Sequence, residues 1–304
     1  MSDAAQHEAN EDGAVRNVLV HAHIFKNAGS TFDWSLERSF REGFVDHRAD
    51  SDLDCGGMDY LESYLRQNPK IVAFSSHRIA FRVEDRPGFK FQTVHFLRHP
   101  IARVRSVYEF ERRDADNREP GGKMAKRLSL KEFVSWYMSP GAPATIRNGQ
   151  SIFCAREGFD ENPDAPAKAL QLLEESRLVG IVEMYAESMV LFEHYLGGQF
   201  PALDLAYVKQ NETGYSADAN IRKDPVQSVL DEIGEVAPDL IAKNQGDLDL
   251  YENAKSLLIQ RIAEVPDFEQ KLQSFRQRCA ELQVRYDRAM QSHLRLAADA
   301  RESP

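Results

Sequence analysis

Residues 23–32 read HIFKNAGSTF, and they decide the fold because they join a predicted strand to the start of a predicted helix. The strand is predicted at 17–24, a short apolar run. The helix is predicted at 30–42, where three apolar residues recur on one face: Phe32, Leu36 and Phe40. A lysine, a glycine and two hydroxyl residues therefore lie between a strand and a helix.

This connecting loop has the chemistry of an anion site. A helix start exposes unpaired N–H groups, and the helix dipole adds positive potential there. Gly29 lets the backbone approach an anion, and Ser30 and Thr31 add hydroxyl donors, either of which is expected to cap the helix. Lys26 adds a full charge, although in a Walker A loop the lysine follows the last glycine. The alternative is an ordinary turn with a surface lysine.

A second segment repeats the arrangement. Residues 96–110, FLRHPIARVRSVYEF, run from a predicted strand through Arg98 and a proline into a helix. Arg98 can bind phosphate bidentately, and Ser106, farther along the helix, can donate to the same oxygens. Two such strand ends in one sheet predict a ligand with two separate phosphate-like groups. The alternative is a solvated helix face formed by Arg98, Arg103 and Arg105.

The rest of the chain alternates predicted strands and helices, which favours a parallel α/β sheet flanked by helices. Further strands are predicted at 70–74, 91–97 and 178–182. Further helices are predicted at 58–67, 101–112, 129–138 and 185–196. The charged segment 112–127 contains one proline and two adjacent glycines, and its length predicts a lid-like loop.

Composition narrows the class of protein. The 304 residues carry a formal net charge of −10, which argues against a nucleic-acid binder. The three cysteines are far apart and match no zinc or redox spacing, so a reducing, cytoplasmic environment is expected. No apolar run reaches the length of a membrane span. Residues 1–15 form an acidic, polar segment that is expected to be disordered.

The segment 266–304 predicts one long C-terminal helix. Its semi-apolar residues recur at alternating spacings of four and three: Leu272, Phe275, Cys279, Leu282, Tyr286, Ala289, His293 and Leu296. This spacing is typical of a coiled coil and would support a homodimer. The same stripe fits equally well a helix that packs against its own domain.

Together the two motifs resemble those of sulfotransferases that use 3′-phosphoadenosine 5′-phosphosulfate (PAPS), especially the carbohydrate type related to heparan sulfate 2-O-sulfotransferases. Those enzymes carry HIPKTGGTS-like and LRDPxxRxxSxY-like elements, where this chain has HIFKNAGST and LRHPIARVRSVY. Phe25 replaces the usual proline and His99 the usual aspartate, and neither change removes an anion donor. The resemblance implies a P-loop-like sulfotransferase domain over 16–265.

The resemblance also implies roles for individual residues. Lys26 would contact the sulfuryl group and the bridging oxygen of PAPS. The 5′-phosphate would be bound by Asn27, Ala28, Gly29, Ser30 and Thr31, and the 3′-phosphate by Arg98 and Ser106. No metal is expected, because PAPS already has a good leaving group. Sulfuryl transfer, like phosphoryl transfer, then depends on positioning and on charge stabilisation.

His77 is the predicted general base. It follows the strand predicted at 70–74, at the sheet edge where the other motifs lie, and similar enzymes often carry a catalytic histidine or glutamate near this point. His21, His23, His95 and His99 are rivals, but the first three lie in predicted strands, where a structural role is more usual. The alternative is a loop histidine without a role. The acceptor is expected to be a hydroxyl group on a carbohydrate.

Two other classes of function stay open at this point. A P-loop nucleotide kinase or other phosphotransferase would share the anion loop and would depend strictly on magnesium. A non-catalytic scaffold with a coiled-coil tail would not bind the desulfated cofactor, adenosine 3′,5′-bisphosphate.

Overall fold

A central sheet organises the protein in the computed structural model, which describes residues 15–79, 83–114, 119–156, 164–208 and 224–302. Within these residues the five strands are β1 (Arg16–Ala22), β2 (Phe44–Asp46), β3 (Ala73–Ser76), β4 (Phe89–Leu97) and β5 (Val179–Ile181). They lie in the order β2-β3-β1-β4-β5, and each strand pairing is parallel. The prediction of a parallel α/β sheet is confirmed.

Helices flank the sheet, as predicted. Those of the described residues are α1 (Gly29–Phe40), α2 (Asp50–Gln67), α3 (Pro100–Arg113), α4 (Pro120–Ala125), α5 (Leu130–Tyr137), α6 (Gly149–Cys154), α7 (Ala165–Glu175), α8 (Tyr185–Leu196), α9 (Pro225–Ile233), α10 (Ala237–Ala242), α11 (Gln245–Ala263) and α12 (Phe268–Glu302). None of them is both long and apolar enough to cross a membrane.

The helix predicted at 58–67 is the second of two helical segments of α2, which meet at a kink at Gly57, where φ is 51°. The first segment, which begins at Asp50, was not predicted. One loop prediction needed correction. The segment 112–127 is not a plain loop, because Pro120 starts α4 in the first-turn position that favours proline. Residues 115–118 of that segment and residues 1–14 of the predicted disordered tail lie outside the described residues.

β1 is the central strand, and its sequence explains that position. The run from Val18 to Ala22 is buried throughout, as expected for a parallel strand that is covered on both faces. Leu19 pairs with Ala73 of β3 on one side and with Gln92 of β4 on the other. The loop that follows β1 is therefore delivered to the middle of the sheet.

A second apolar cluster lies beside the main core and is built on α3. Ile101, Val104 and Val107 of α3 are buried there together with residues of α5, α9 and α10: Phe133, Tyr137, Val229, Ile233 and Leu240. α5 starts at a capping box, in which Ser129 and Glu132 each accept a hydrogen bond from the other's backbone N–H. This packing fixes α3 against α5, α9 and α10.

The first part of α12 packs against the main core. Leu272 and Phe275 are buried in it, and Arg278 forms an ion pair with Glu193 of α8. Farther along, Val284 is exposed. The described start of the helix thus packs on its own domain, and side chains from residue 293 onward lie outside the description. The coiled-coil dimer and the division of the chain at residue 265 stay predictions.

Phe275→Ala is expected to lower the free energy of unfolding by about 3–5 kcal/mol, because a fully buried aromatic ring is replaced by a cavity. Chemical denaturation followed by circular dichroism measures the change. The control is Val284→Ala on the same helix, where an exposed side chain is shortened and a change within about 0.5 kcal/mol is expected. Equal stabilities of the two variants would show that α12 adds nothing to the core.

Candidate anion-binding site

The candidate site lies where the strand order of the sheet reverses. The chain leaves β1 towards β2 on one side, whereas β4 leads to β5 on the other. A crevice forms at such a point, beyond the carboxyl ends of the strands. Lys26 follows β1 and Arg98 follows the adjacent β4, and Nη1 of Arg98 donates to the backbone oxygen of Lys26 at 3.4 Å. The structure thus brings the two predicted anion motifs into contact.

The loop between β1 and α1 has an unusual backbone. Lys26 has a φ of 64° and Ala28 a φ of 61°, in the left-handed region that residues other than glycine seldom adopt. Ala28 is the N-cap of α1 and makes no side-chain cap, so the prediction that Ser30 or Thr31 caps the helix is wrong. A left-handed residue followed by a helical one turns successive N–H groups to the same side, as in an anion-binding nest.

Positive charge is concentrated around Lys26. Burial is the main reason that the pKa of Lys26 falls to about 8, and Arg98 and Arg113 act in the same direction, while Glu109 opposes them. Its Nζ lies 4.3 Å from the ring centre of Phe110, a distance typical of a cation–π contact. Lys26 and the neighbouring arginines repel one another, and a bound anion would stabilise the charged form of each of them.

One face of α3 extends this cationic surface. Arg103, Ser106, Phe110 and Arg113 follow at spacings of three and four, which aligns them along the helix. Arg103 is only 4 % exposed, and its Nε donates to the backbone oxygen of Phe25 at 3.0 Å. The alternative of a solvated arginine face is therefore wrong for Arg103, which instead holds the loop after β1 against α3.

Asn27 ties the same loop to the neighbouring strand. Its Nδ2 donates to the backbone oxygen of Phe96 and to Oε1 of Gln150, both at 2.7 Å. Its backbone N–H donates to the oxygen of Ile24 at 3.2 Å. Asn27 would have to break one of these bonds to donate to the cofactor, as the sequence predicts, whereas Ser30 is exposed at the start of α1.

A buried carboxylate joins α1 to β1. Nδ1 of His21 donates to Oδ1 of Asp33 at 2.6 Å, and Nδ1 of His23 lies 2.9 Å from Oδ2. Burial alone would raise the pKa of Asp33, but the charge and hydrogen bonds of the two histidines outweigh it and hold that pKa well below its usual range. The two histidines are two residues apart and so face the same side of the strand.

The same three residues offer ligand atoms that all lie within 4.8 Å of one another, and such a set could hold a metal ion. Their separations of 2.6 and 2.9 Å are hydrogen-bond distances. The His21–Asp33 contact also has the angles of a hydrogen bond, whereas the His23–Asp33 contact is close without them. The absence of a metal from the reaction stays a prediction.

His77 follows β3 directly and packs against this cluster. Its ring centre lies 4.1 Å from that of His23, and its Nδ1 donates to the backbone oxygen of His23 at 2.6 Å. Since Nδ1 carries the proton, Nε2 has a lone pair that can accept one. Burial, with His23 and Arg48 acting in the same direction, lowers the pKa of His77 to about 3. This pKa lies below the near-neutral value that favours a general base at physiological pH.

His77 and Lys26 belong to different electrostatic surroundings. The charged groups that act on the pKa of Lys26 include Arg98 and Arg113, whereas those that act on His77 include His23 and Arg48. Lys26 and Arg98 follow the adjacent strands β1 and β4, whereas His77 follows β3, on the other side of β1. The structure thus brings Lys26 and Arg98 together and places His77 beside His23.

Sequence reasoning missed three buried residues that hold the site together: Asp33, Arg103 in its structural role, and Gln150. The alternating histidines were a usable signal for Asp33, because a polar face on a buried strand needs a partner from the covering helix. Gln150 gave no local signal, since its partners Asn27 and Arg98 are distant in sequence.

No family model matches the chain. A stretch of 243 residues is 28% identical to an uncharacterized protein of Archaeoglobus fulgidus, and the alignment covers 78% of this chain and 95% of that protein. The similarity spans nearly all of the archaeal protein and carries no statement of activity. The function therefore has to be argued from the site.

Gly29→Ala is expected to destabilise the protein, because the new Cβ would lie 2.3 Å from Nε2 and Cδ2 of the buried His23 ring. Overpacking of this kind costs about 1–3 kcal/mol. Thermal unfolding of the single variants and of Gly29→Ala combined with His23→Ala measures it. In the double variant the smaller side chain makes room for the methyl group, so Gly29→Ala should cost much less there. Additive losses would mean that Gly29 is needed for another reason.

Proposed function

We propose that the protein is a P-loop-like sulfotransferase that moves a sulfuryl group from PAPS to an acceptor hydroxyl. The observation that carries the proposal is the junction of Lys26 and Arg98 in the crevice between β1 and β4, within one cationic cluster. PAPS carries a 5′-phosphosulfate and a separate 3′-phosphate. A ligand with two anionic groups matches two adjoining anion-binding elements.

The loop after β1 is proposed to bind the 5′-phosphosulfate. N–H groups at the start of α1 and the hydroxyl of Ser30 are the donors, and no carboxylate lies in the first turn of this helix. The left-handed residues Lys26 and Ala28 support this role, because backbone strain of that kind clusters at ligand sites. Arg98 and Ser106 are proposed to bind the 3′-phosphate.

In the proposed reaction the acceptor oxygen attacks sulfur while the bond from sulfur to the bridging oxygen of PAPS breaks. Negative charge grows on that oxygen, which leaves as part of adenosine 3′,5′-bisphosphate, and the ammonium group of Lys26 stabilises it. The proton of the acceptor passes to Nε2 of His77, whose Nδ1 is held by the backbone oxygen of His23.

A nucleotide kinase is the second candidate, and the surroundings of the loop argue against it. Such an enzyme needs a carboxylate for magnesium, but β3 and β4 are followed by His77 and Arg98. Asp33, in α1, already has both oxygens in contact with histidines. Strict dependence of activity on magnesium would nevertheless select the kinase, and failure to bind any adenosine nucleotide would select the scaffold.

The identity of the acceptor rests on the sequence resemblance, which favours a carbohydrate hydroxyl. The homodimer through α12 and the cytoplasmic location likewise rest on sequence patterns. A screen of carbohydrate and small-molecule acceptors with radiolabelled PAPS addresses the acceptor directly, because transfer of the label identifies it.

Adenosine 3′,5′-bisphosphate is expected to bind more tightly than 5′-AMP, because only the former has a phosphate for Arg98 and Ser106. A charge-assisted hydrogen bond contributes about 1.5–3 kcal/mol, so Arg98→Ala should weaken bisphosphate binding about 10- to 150-fold and 5′-AMP binding little. Calorimetry gives both affinities. Bisphosphate affinity should also fall above about pH 8, where Lys26 loses its charge.

The matched control for this test is Arg105→Ala, which removes an arginine of the same helix that pairs with Glu232. It should leave both affinities unchanged. Equal affinity of the wild-type protein for the two nucleotides would contradict the assignment of the second anion element.

His77→Ala is expected to lower kcat by about 10²–10⁴, the usual range for a lost general base, with little effect on nucleotide affinity. Because the pKa of His77 is about 3 in the ligand-free protein, the acid limb of kcat/KM should lie well below pH 6. A bound anion favours the imidazolium form, so the acid limb of kcat should lie at higher pH than that of kcat/KM. Steady-state rates from pH 4 to pH 9 locate the limb of kcat and show whether kcat/KM stays level down to the lower end of that range.

His194→Ala, on α8, is the control for this prediction and should retain the wild-type profile. A near-normal kcat for His77→Ala would place the base elsewhere. An acid limb of kcat/KM near pH 6.5 that disappears in His77→Ala would instead contradict the lowered pKa.

A further inference from the structure

We propose that Gln150 is a positioning residue that couples the two anion-binding elements, so that a ligand group on one element prepares the other. The identity of the ligand rests on the proposed function. Gln150 is fully buried, and its Oε1 accepts from Nδ2 of Asn27 at 2.7 Å and from the backbone N–H of Arg98 at 2.9 Å. Its Nε2 donates to the backbone oxygen of Arg98 at 2.9 Å. One amide therefore touches both elements.

The backbone of Arg98 determines how this amide is oriented. A backbone N–H can only donate and a carbonyl can only accept, so Gln150 has to present Oε1 to the first and Nε2 to the second. Oε1 then requires a donor from Asn27, which has to turn its Nδ2 towards it. The other Nδ2 proton reaches the backbone oxygen of Phe96 in β4. The hydrogen-bond chain has a single consistent arrangement.

The backbone of Gln150 is held by a third element, α11. Oδ2 of Asp247, in α11, accepts from the backbone N–H of Gln150 at 3.0 Å, and Oδ1 accepts from that of Ser151 at 2.7 Å. The side-chain oxygen of Asn148 accepts in turn from the backbone N–H of Asp247 at 3.0 Å. The start of α6 is thereby held against α11, and Gln150 has little freedom to follow one element without the other.

Because Gln150 is bonded to Asn27 at one end and to Arg98 at the other, its side chain couples the two anion-binding elements. Buried polar groups are costly to leave unpaired, and close-packed interiors transmit small displacements. An anion that holds the loop carrying Lys26 in this conformation also holds Asn27, and through Gln150 it holds the backbone that carries Arg98. A ligand with both phosphates should therefore gain more than its two halves predict separately.

The test uses the full chain with two variants and one control. Gln150→Met keeps the length of the side chain and removes its three hydrogen bonds, one to Asn27 and two to the backbone of Arg98. Asn27→Ala cuts the bridge but leaves Gln150 bound to the backbone of Arg98, and it carries the test if Gln150→Met does not fold. Gln227→Met makes the same chemical change at an exposed glutamine of α9 that pairs with Asp231. Calorimetry is run with adenosine 3′,5′-bisphosphate, 5′-AMP and 3′-AMP.

Both bridge variants should weaken bisphosphate binding about tenfold or more, as expected when buried hydrogen bonds are lost, and each mononucleotide by less than about threefold. Gln227→Met should match the wild type. A purely structural role for Gln150 predicts equal proportional losses for all three nucleotides, and that result would overturn the coupling.

Hydrogen exchange on the ligand-free protein separates this inference from the proposed function. In Gln150→Met, residues 23–28 and 97–99 should exchange faster together, while α8 should be unchanged. Faster exchange in one of the two elements alone would overturn the coupling. If the wild-type protein binds none of the nucleotides but both elements exchange faster together, the coupling is supported and the proposed ligand is rejected.

Discussion

The buried carboxylate of Asp33 is the constraint on which the site depends. It binds His21 and His23 together and so holds the second turn of α1 against β1 and the start of the loop. The short backbone between them turns through left-handed conformations at Lys26 and Ala28. No side chain caps the helix. The candidate anion site thus lies on a loop that is held at both ends by the contacts of Asp33.

Burial and local charge oppose the charged form of both key titratable groups. The pKa values of Lys26 and His77 are both lowered, in each case mainly by burial and further by neighbouring cations. This positive potential occurs in a protein whose overall formal charge is −10. An anion bound near either group would raise the pKa of that group, since it favours the charged form. Ligand binding and protonation of the site are therefore linked.

The sequence predicted those parts of the molecule that depend on local patterns. β1, β4, α3 and α8 follow from apolar runs and helical spacing, and the positions of Lys26 and Arg98 follow from the strand ends. Predictions failed where distant residues decide the local geometry. The cap of α1 could not be read from Ser30, because backbone strain sets the helix start, and the pKa of His77 could not be read without knowing its burial. The hydrogen-bond partners of Gln150 are distant in sequence, so no local pattern of residues predicts them.

α3 belongs to two environments at once. Arg103 holds the loop after β1, whereas Ile101, Val104 and Val107 fill the second apolar cluster. Because close-packed interiors transmit small displacements, the packing of this cluster affects the position of the whole of α3. The apolar cluster thus helps to position Arg103 at the candidate site. A change in side-chain size on α5 or α9 would act on the candidate site through α3, and divergence in those distant helices is a route by which related proteins can acquire different ligands.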